Sequence, residues 1–469
     1  MTEGRDAIHG QWSGRWAFIL AATGSAVGLG NIWKFPYITG DNGGGAFVLI
    51  YLACILLIGL PIMVAEVMLG RRGRRSPINT MRYLAREEGR LPSWGLLGWM
   101  GVVAGFLILS YYAVVAGWAL AYFSRAFGGA FAGIEAEQAE SMFVSLVSDP
   151  ERLLAWHTVF IVMTMIVVAR GVRGGLERAV RILMPALLVI LLILVGYAMS
   201  TEHFAQGASF LFKPDFEALF YKPDEFGIMR FTWSPVMVAL GHAFFTLSLG
   251  MGAIMIYGSY LPKQTSIIKT TGVIAVMDTA VAILAGLAIF PIVFAHGLEP
   301  GQGPGLIFQT LPLAFGAMPA GIFFASLFFL LLVFAAWSSA ISLIEPLVAW
   351  LVENRGISRV SATVWSGMGA WMLGLVTIFS FNIWSGEEYQ WLGMTAFGLL
   401  DYLTANIMLP LGGLLIALFA GWRMSRQSSL DELAVADGWL FRSWYVLVRF
   451  IAPLAVILIF LNAIGVLAA

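Results

Sequence analysis

Six ionisable side chains stand inside long apolar stretches of this chain: Lys34, Glu66, His242, Asp278, Glu345 and Asp401. Such groups are costly in hydrocarbon, and where they are kept they pair, gate or carry something. Asp278 is the sharpest case. It sits in VIAVMDTAVAIL, where no neighbour in sequence can neutralise it and a bound cation can. Glu345, followed by Pro346, reads instead as half of a structural pair. For the remaining four, pairing or reaching toward the interface is the plain alternative to function.

Neutral oxygens come next. Ala335, Ser338 and Ser339 are spaced i, i+3, i+4 and share one helical face. The two hydroxyls suit a hard cation, and they equally suit bonding back to their own helix. Two glycine-broken runs, GSAVGLGN (24–31) and FFTLSLGMGA (244–253), interrupt apolar segments. Small residues let helices approach closely. They also mark helices that open at depth, where freed carbonyls and N–H groups act as ligands. Enzyme chemistry finds little here. There is no paired-histidine metal motif and no nucleophile elbow, and the only thiol, Cys54, lies in an apolar stretch.

The elements that must position these groups are membrane helices. Of 469 residues, 59% are apolar and 12% charged, 27 basic residues balance 27 acidic ones, and mean hydropathy is +0.85. That excludes a soluble enzyme, a disordered chain and a nucleic-acid binder. Eleven segments are long enough to span a bilayer, near 14–38, 42–70, 94–126, 153–170, 178–200, 229–259, 268–296, 317–351, 360–383, 391–421 and 443–467. Of the 27 basic residues, 21 fall on the N-terminal side of the membrane and 6 on the other. The positive-inside rule places the N-terminus in the cytoplasm and, with an odd number of spans, the C-terminus outside. No cleavable leader precedes the first span, and the short loops fit the cytoplasmic (inner) membrane of a prokaryote. The two glycine breaks occupy the first span of each five-span half. Matched interruptions of this kind point to a transporter site built from discontinuous helices.

The residues that carry these features also carry a family signature. WSGRWAFILAATGSAVGLGNIWKFPY, NGGGAFVLIYL, GLPIMVAEVMLGR, FFTLSLGMGA, FAAWSSAISLIEP and LLDYLTANIMLP resemble the neurotransmitter:sodium symporter family over ten of the eleven spans. Eleven spans match its bacterial amino-acid branch. The resemblance implies an all-α polytopic fold, a five-plus-five inverted repeat with broken first and sixth helices and an eleventh span outside it. It divides the chain into a cytoplasmic tail (1–11), a first repeat (12–200), an extracellular loop (201–228), a second repeat (229–422) and a final loop and span (423–469). The expected activity is Na+-coupled import of an amino acid with two Na+ per substrate. A membrane sensor that keeps the fold and site without concentrating its ligand is the alternative.

Carried over residue by residue, the resemblance puts a first Na+ at Ala26, Asn31, Thr246 and Asp278. It puts a second at Gly24, Val27, Ala335, Ser338 and Ser339. Many family members have Asn where Asp278 stands, and some chloride-independent ones have Glu where Ala282 stands. Asp278 is therefore expected to be both ligand and chloride substitute, so no Cl− is expected. His242 stands where Gln is often found at the chloride site. The substrate site maps to Ser25, Ala26, Gly28, Gly30, Ile108, Tyr112, Phe245, Thr246, Ser248, Met251, Ser339 and Leu343. Amine transporters carry Asp at the position of Gly28, so Gly28 and Gly30 with Tyr112 are expected to receive a carboxylate. The pocket side chains carry no charge, which implies a neutral, mainly hydrophobic L-amino acid.

The outer gate maps to Lys34 and Asp401 with the lids Tyr112 and Phe245, and the inner plug to Trp12. The family's inner Arg–Asp latch maps to His9 and Glu353, with Arg5 as another candidate. Glu66 matches the carboxylate that supports the helix breaks. Gly175 and Pro185 match a Gly-X9-Pro motif that lets the fifth span unwind. The implied partners are the amino acid and the lipid bilayer; the sequence carries no sign of an oligomeric state.

Overall fold

A chain with so many separate apolar runs buries its backbone polar groups only by coiling each run into a helix. The computed structural model describes residues 9–223, 228–297 and 305–463. Among them, nine continuous helices are long and apolar enough to cross a membrane. These are spans 2 (Gly45–Gly73), 3 (Pro92–Phe127), 4 (Pro150–Ala169), 5 (Val172–Met199), 7 (Ile267–Ala295), 8 (Gly321–Arg355), 9 (Arg359–Ser380), 10 (Ala396–Arg423) and 11 (Trp439–Leu458). Span 1 is the bent pair Arg15–Ala26 and Gly30–Asp41, turned by 50°. Span 6 is broken into Ser234–Thr246 and Ala253–Ser259. Boundaries differ from the sequence expectation by a few residues, as frayed ends and caps dictate.

Both breaks follow from residue type. In span 1 the helix ends where Val27 takes an extended conformation, and Gly28 lies in the gap. A Cβ on Gly28 would stand 2.5 Å from the Ser339 hydroxyl and 2.9 Å from that of Tyr112, so only glycine fits. In span 6, Ser248, Gly250 and Gly252 all have positive φ, which no α-helix accommodates. A Cβ on Gly250 would meet the Leu409 carbonyl oxygen at 2.4 Å.

Spans 1, 3, 6 and 8 surround the two breaks. Outside them, residues such as Leu57, Ile182, Val189, Leu192 and Val276 are exposed. An apolar belt of that kind suits lipid. Span 5 begins with a wide π-type turn, Val172–Glu177, that contains Gly175, and Pro185 lies inside the helix that follows. The loop between spans 5 and 6 carries two short helices, Phe204–Phe212 and Phe216–Phe220, and an antiparallel strand pair, Tyr221–Pro223 with Met229–Phe231.

Candidate functional site

The break in span 1 faces the break in span 6, and three polar side chains meet between them. The Asn31 amide donates to an Asp278 carboxylate oxygen at 2.8 Å and to the Asp278 carbonyl at 3.1 Å. The Thr246 hydroxyl reaches both carboxylate oxygens of Asp278 at 3.1 Å. Gly28 N–H donates to Asn31 Oδ1 at 3.0 Å. Asn31, Thr246 and Asp278 are fully buried, and among the described residues no basic side chain pairs with Asp278. A buried carboxylate without a cation is costly, so this oxygen-rich corner suits a small monovalent cation. Ala26 borders it from the adjoining pocket.

A second set of oxygens gathers where span 8 crosses the span 1 break. The Ser339 hydroxyl lies 3.2 Å from the carbonyls of Ser25 and Val27 and 3.4 Å from that of Gly24. Ser338, one position before it, bonds back to the Phe334 and Ala335 carbonyls at 3.1 Å. Gly24, Val27, Ala335, Ser338 and Ser339 are thus one neighbourhood, electrically neutral where the first is charged.

Between the two lies a narrow pocket lined by Ser25, Ala26, Gly28, Gly30, Ile108, Tyr112, Phe245, Ser248, Met251, Ser339 and Leu343. Of the residues assigned to it from the sequence, Thr246 alone stands outside, behind the wall and against Asp278. Leu29 N–H donates to the Tyr112 hydroxyl at 3.2 Å. Having accepted there, Tyr112 retains its own proton to donate. Glu66, fully buried, accepts from Gly250 N–H at 3.1 Å and so supports the span 6 break.

On one side of the pocket a cavity of about 270 Å³ opens past Tyr112 and Phe245. Lys34 and Asp401 both line it, yet among the described residues no ion pair joins them. Lys34 lies over the Phe245 ring instead, 4.9 Å from its centre. Sequence reasoning missed Trp33, Tyr37, Tyr111 and Phe397 on this wall, whose aromatic runs look like ordinary helix packing. His242 is stacked between Phe35 and Tyr51, and neither ring nitrogen has a hydrogen-bond partner among the described residues.

The opposite side is closed. Trp12 is 1% exposed, donates its indole N–H to the Tyr257 carbonyl at 3.0 Å, and packs edge-on against Tyr257 and Tyr260. His9 Nε2 lies 2.8 Å from Glu353. Glu353 also accepts from Ser76 N–H at 2.7 Å, the Ser76 hydroxyl at 2.5 Å and the Asn79 amide at 2.6 Å. Arg5 lies outside the described residues. Glu345 finds its partner in Arg359, at 2.5 and 3.0 Å, with Tyr260 donating at 2.7 Å. Sequence reasoning missed Glu177, which accepts from Ser13 N–H and the Ser13 hydroxyl at 3.0 and 2.5 Å and pairs with Arg181.

Known proteins resemble this chain in sequence and fold. The Sodium:neurotransmitter symporter family matches residues 9–140 and 147–468. The chain belongs to that family. It is 38% identical over 460 residues to an uncharacterized sodium-dependent transporter, YhdH, of Bacillus subtilis, covering 97% of this chain and 98% of that one. A Haemophilus influenzae sodium-dependent transporter is 32% identical over 458 residues, 96% of this chain and 97% of its own. The crystal structure of MhsT in complex with L-phenylalanine superposes with a TM-score of 0.87 at 42% identity, covering 97% of this chain and 99% of MhsT. This member of the family is therefore a sodium-dependent membrane transporter and not an enzyme. Its fold is the family's inverted-repeat fold, with the breaks of spans 1 and 6 at its centre.

Proposed function

We propose that this transporter imports neutral, mainly hydrophobic L-amino acids by Na+-coupled symport with alternating access and two Na+ per substrate. The observation that carries the reading is the pocket, whose walls hold no ionised side chain and which lies between the two oxygen clusters. The substrate carboxylate meets Tyr112 and the N–H groups freed at Gly28 and Gly30, as an anion does at a helix N-terminus. The ammonium meets carbonyls of span 6 near Phe245 and Ser248. The first Na+ is held by Ala26, Asn31, Thr246, Asp278 and the carboxylate, which ties ion to substrate. The second is held by Gly24, Val27, Ala335, Ser338 and Ser339. MhsT, bound to L-phenylalanine, supports a hydrophobic substrate.

Asp278 supplies the negative charge beside the first Na+, so transport proceeds without Cl−. Lys34 and Asp401 form the outer gate with Tyr112 and Phe245 as lids. Trp12, with the His9–Glu353 latch, forms the inner one. Unwinding between Gly175 and Pro185 admits water to the second Na+ site. Residues 12–200 and 229–422 act as the two inverted halves, with the N-terminus cytoplasmic in an inner membrane.

Uptake of labelled phenylalanine into proteoliposomes is the test. Accumulation above equilibrium is expected with an inward Na+ gradient, unchanged when gluconate replaces Cl−, and abolished in Asp278→Ala. Binding without accumulation would make the protein a sensor, and loss of uptake without Cl− would remove the role given to Asp278.

A further inference from the structure

We propose that Ser342, acting through Ser25, selects substrates whose aromatic side chain ends in a hydrogen-bond donor, an indole N–H or a phenolic O–H. The inference rests on the amino-acid reading of the pocket and adds a preference within it.

The direction of the bonds can be deduced. Ser342 Oγ lies 2.7 Å from the Ser339 carbonyl, which can only accept, so Ser342 donates there. Its single proton is then committed. The 2.7 Å contact between the Ser25 and Ser342 hydroxyls must therefore run from Ser25 to Ser342. Ser248 likewise donates to the Ser25 carbonyl at 2.8 Å, and Ser339 to carbonyls of the span 1 break. The three serines that line the pocket have thus turned their protons toward protein oxygens. What they offer the cavity is lone pairs.

Placement gives this polarity a use. Ser25 precedes Gly28 by three residues and Ser342 follows Ser339 by three. On the continuous helix of span 8, Ser342 therefore sits about 4.5 Å of rise beyond Ser339, and Ser25 is held to it at 2.7 Å. Both hydroxyls are buried, at 2% and 1% exposure. Ile108, Met251 and Leu343 supply apolar walls for a ring. A ring edge with a donor gains a bond at Ser25. An edge with only an acceptor meets other acceptors, and a bare edge leaves the lone pair of Ser25 desolvated and unused.

The experiment compares Na+-dependent binding of L-tryptophan, 3-benzothienyl-L-alanine and L-phenylalanine to the purified protein. Sulfur replaces the indole N–H in the second compound and leaves its shape unchanged. Tryptophan is expected to bind about tenfold tighter than its sulfur analogue. In Ser342→Ala the proton of Ser25 loses its acceptor and turns to the pocket. The ratio is then expected to fall to about one while phenylalanine affinity stays put, which also reports an intact fold. Ser342→Thr keeps the acceptor and should keep the ratio. A ratio near one in the unmodified protein, or one unmoved in Ser342→Ala, overturns the inference. So does equal weakening of all three ligands in Ser342→Ala, which would mean that Ser25 reads the α-ammonium. Absence of any Na+-dependent phenylalanine binding would overturn the function proposed above and this preference with it.

Discussion

On the Trp12 side of the pocket, the Glu353 carboxylate alone takes hydrogen bonds from His9, from Ser76 twice and from Asn79. On the Lys34 side, the two charges best placed to close the path line one cavity of about 270 Å³ without meeting. The difference is one of bonding, because both sides are rich in aromatic rings. Trp12 is held by a donor bond and two edge-on contacts, whereas Tyr112 and Phe245 border open space. The molecule is therefore open on the Lys34 side and closed on the Trp12 side in this conformation. Returning to the other state means breaking the Trp12 side, and the stability of that side sets the balance between the two.

The comparison can be broken most forcefully at Trp12. Removing a fully buried tryptophan costs about 3–5 kcal/mol, all of it on the state that buries the ring. Trp12→Ala should shift the population inward by far more than tenfold. A cysteine at Val115, which lines the outer cavity, reports the shift as slower maleimide labelling in a Cys54→Ser background. Unchanged labelling would show that the plug does not hold the outward state. A smaller effect is expected from Glu353→Gln, which keeps the size and loses the charge behind four bonds. Charge-assisted bonds of this kind contribute about 1.5–3 kcal/mol each at most, so labelling at Val115 should slow by roughly tenfold. The smallest effect sharpens the comparison from the other side. Lys34→Arg supplies a planar fork that spans distances a point charge does not. It should bring the outer charges together with Asp401 and slow labelling about twofold to threefold, and Asp401→Asn in the same background should restore it.

How much of this was legible in sequence depended on how local the signal was. Spans announced themselves because each is a continuous apolar run, and even the broken first and sixth showed as glycine clusters. The pocket residues were legible because they sit on or beside those breaks and match a family motif there. Pairings were another matter. Ser25 and Ser342 are 317 residues apart, and Ser13 and Glu177 are 164 apart. Nothing in the neighbourhood of either serine distinguishes it from one bonded to its own helix. Glu345 was read as half of a pair without its partner, since Arg359 lies across the turn between spans 8 and 9. Lys34 was matched to Asp401 only through the family resemblance, and in this conformation its nearest favourable surface is the face of Phe245.

That resting place of Lys34 has a consequence for how a substrate arrives. The outer cavity carries a positive charge on span 1 and a negative one on span 10, Lys34 and Asp401, at its two walls. An amino acid is itself a dipole. On the substrate reading proposed above, an amino acid descending between these walls would be turned before it touches the pocket, carboxylate toward span 1 and ammonium toward span 10, in a low-dielectric funnel where such torques are strong. Against the span 1 side lies the Tyr112 hydroxyl, which accepts from Leu29 N–H and keeps its own proton to donate. Alignment thus begins in the antechamber, and a reversed zwitterion is disfavoured in transit as well as at the site.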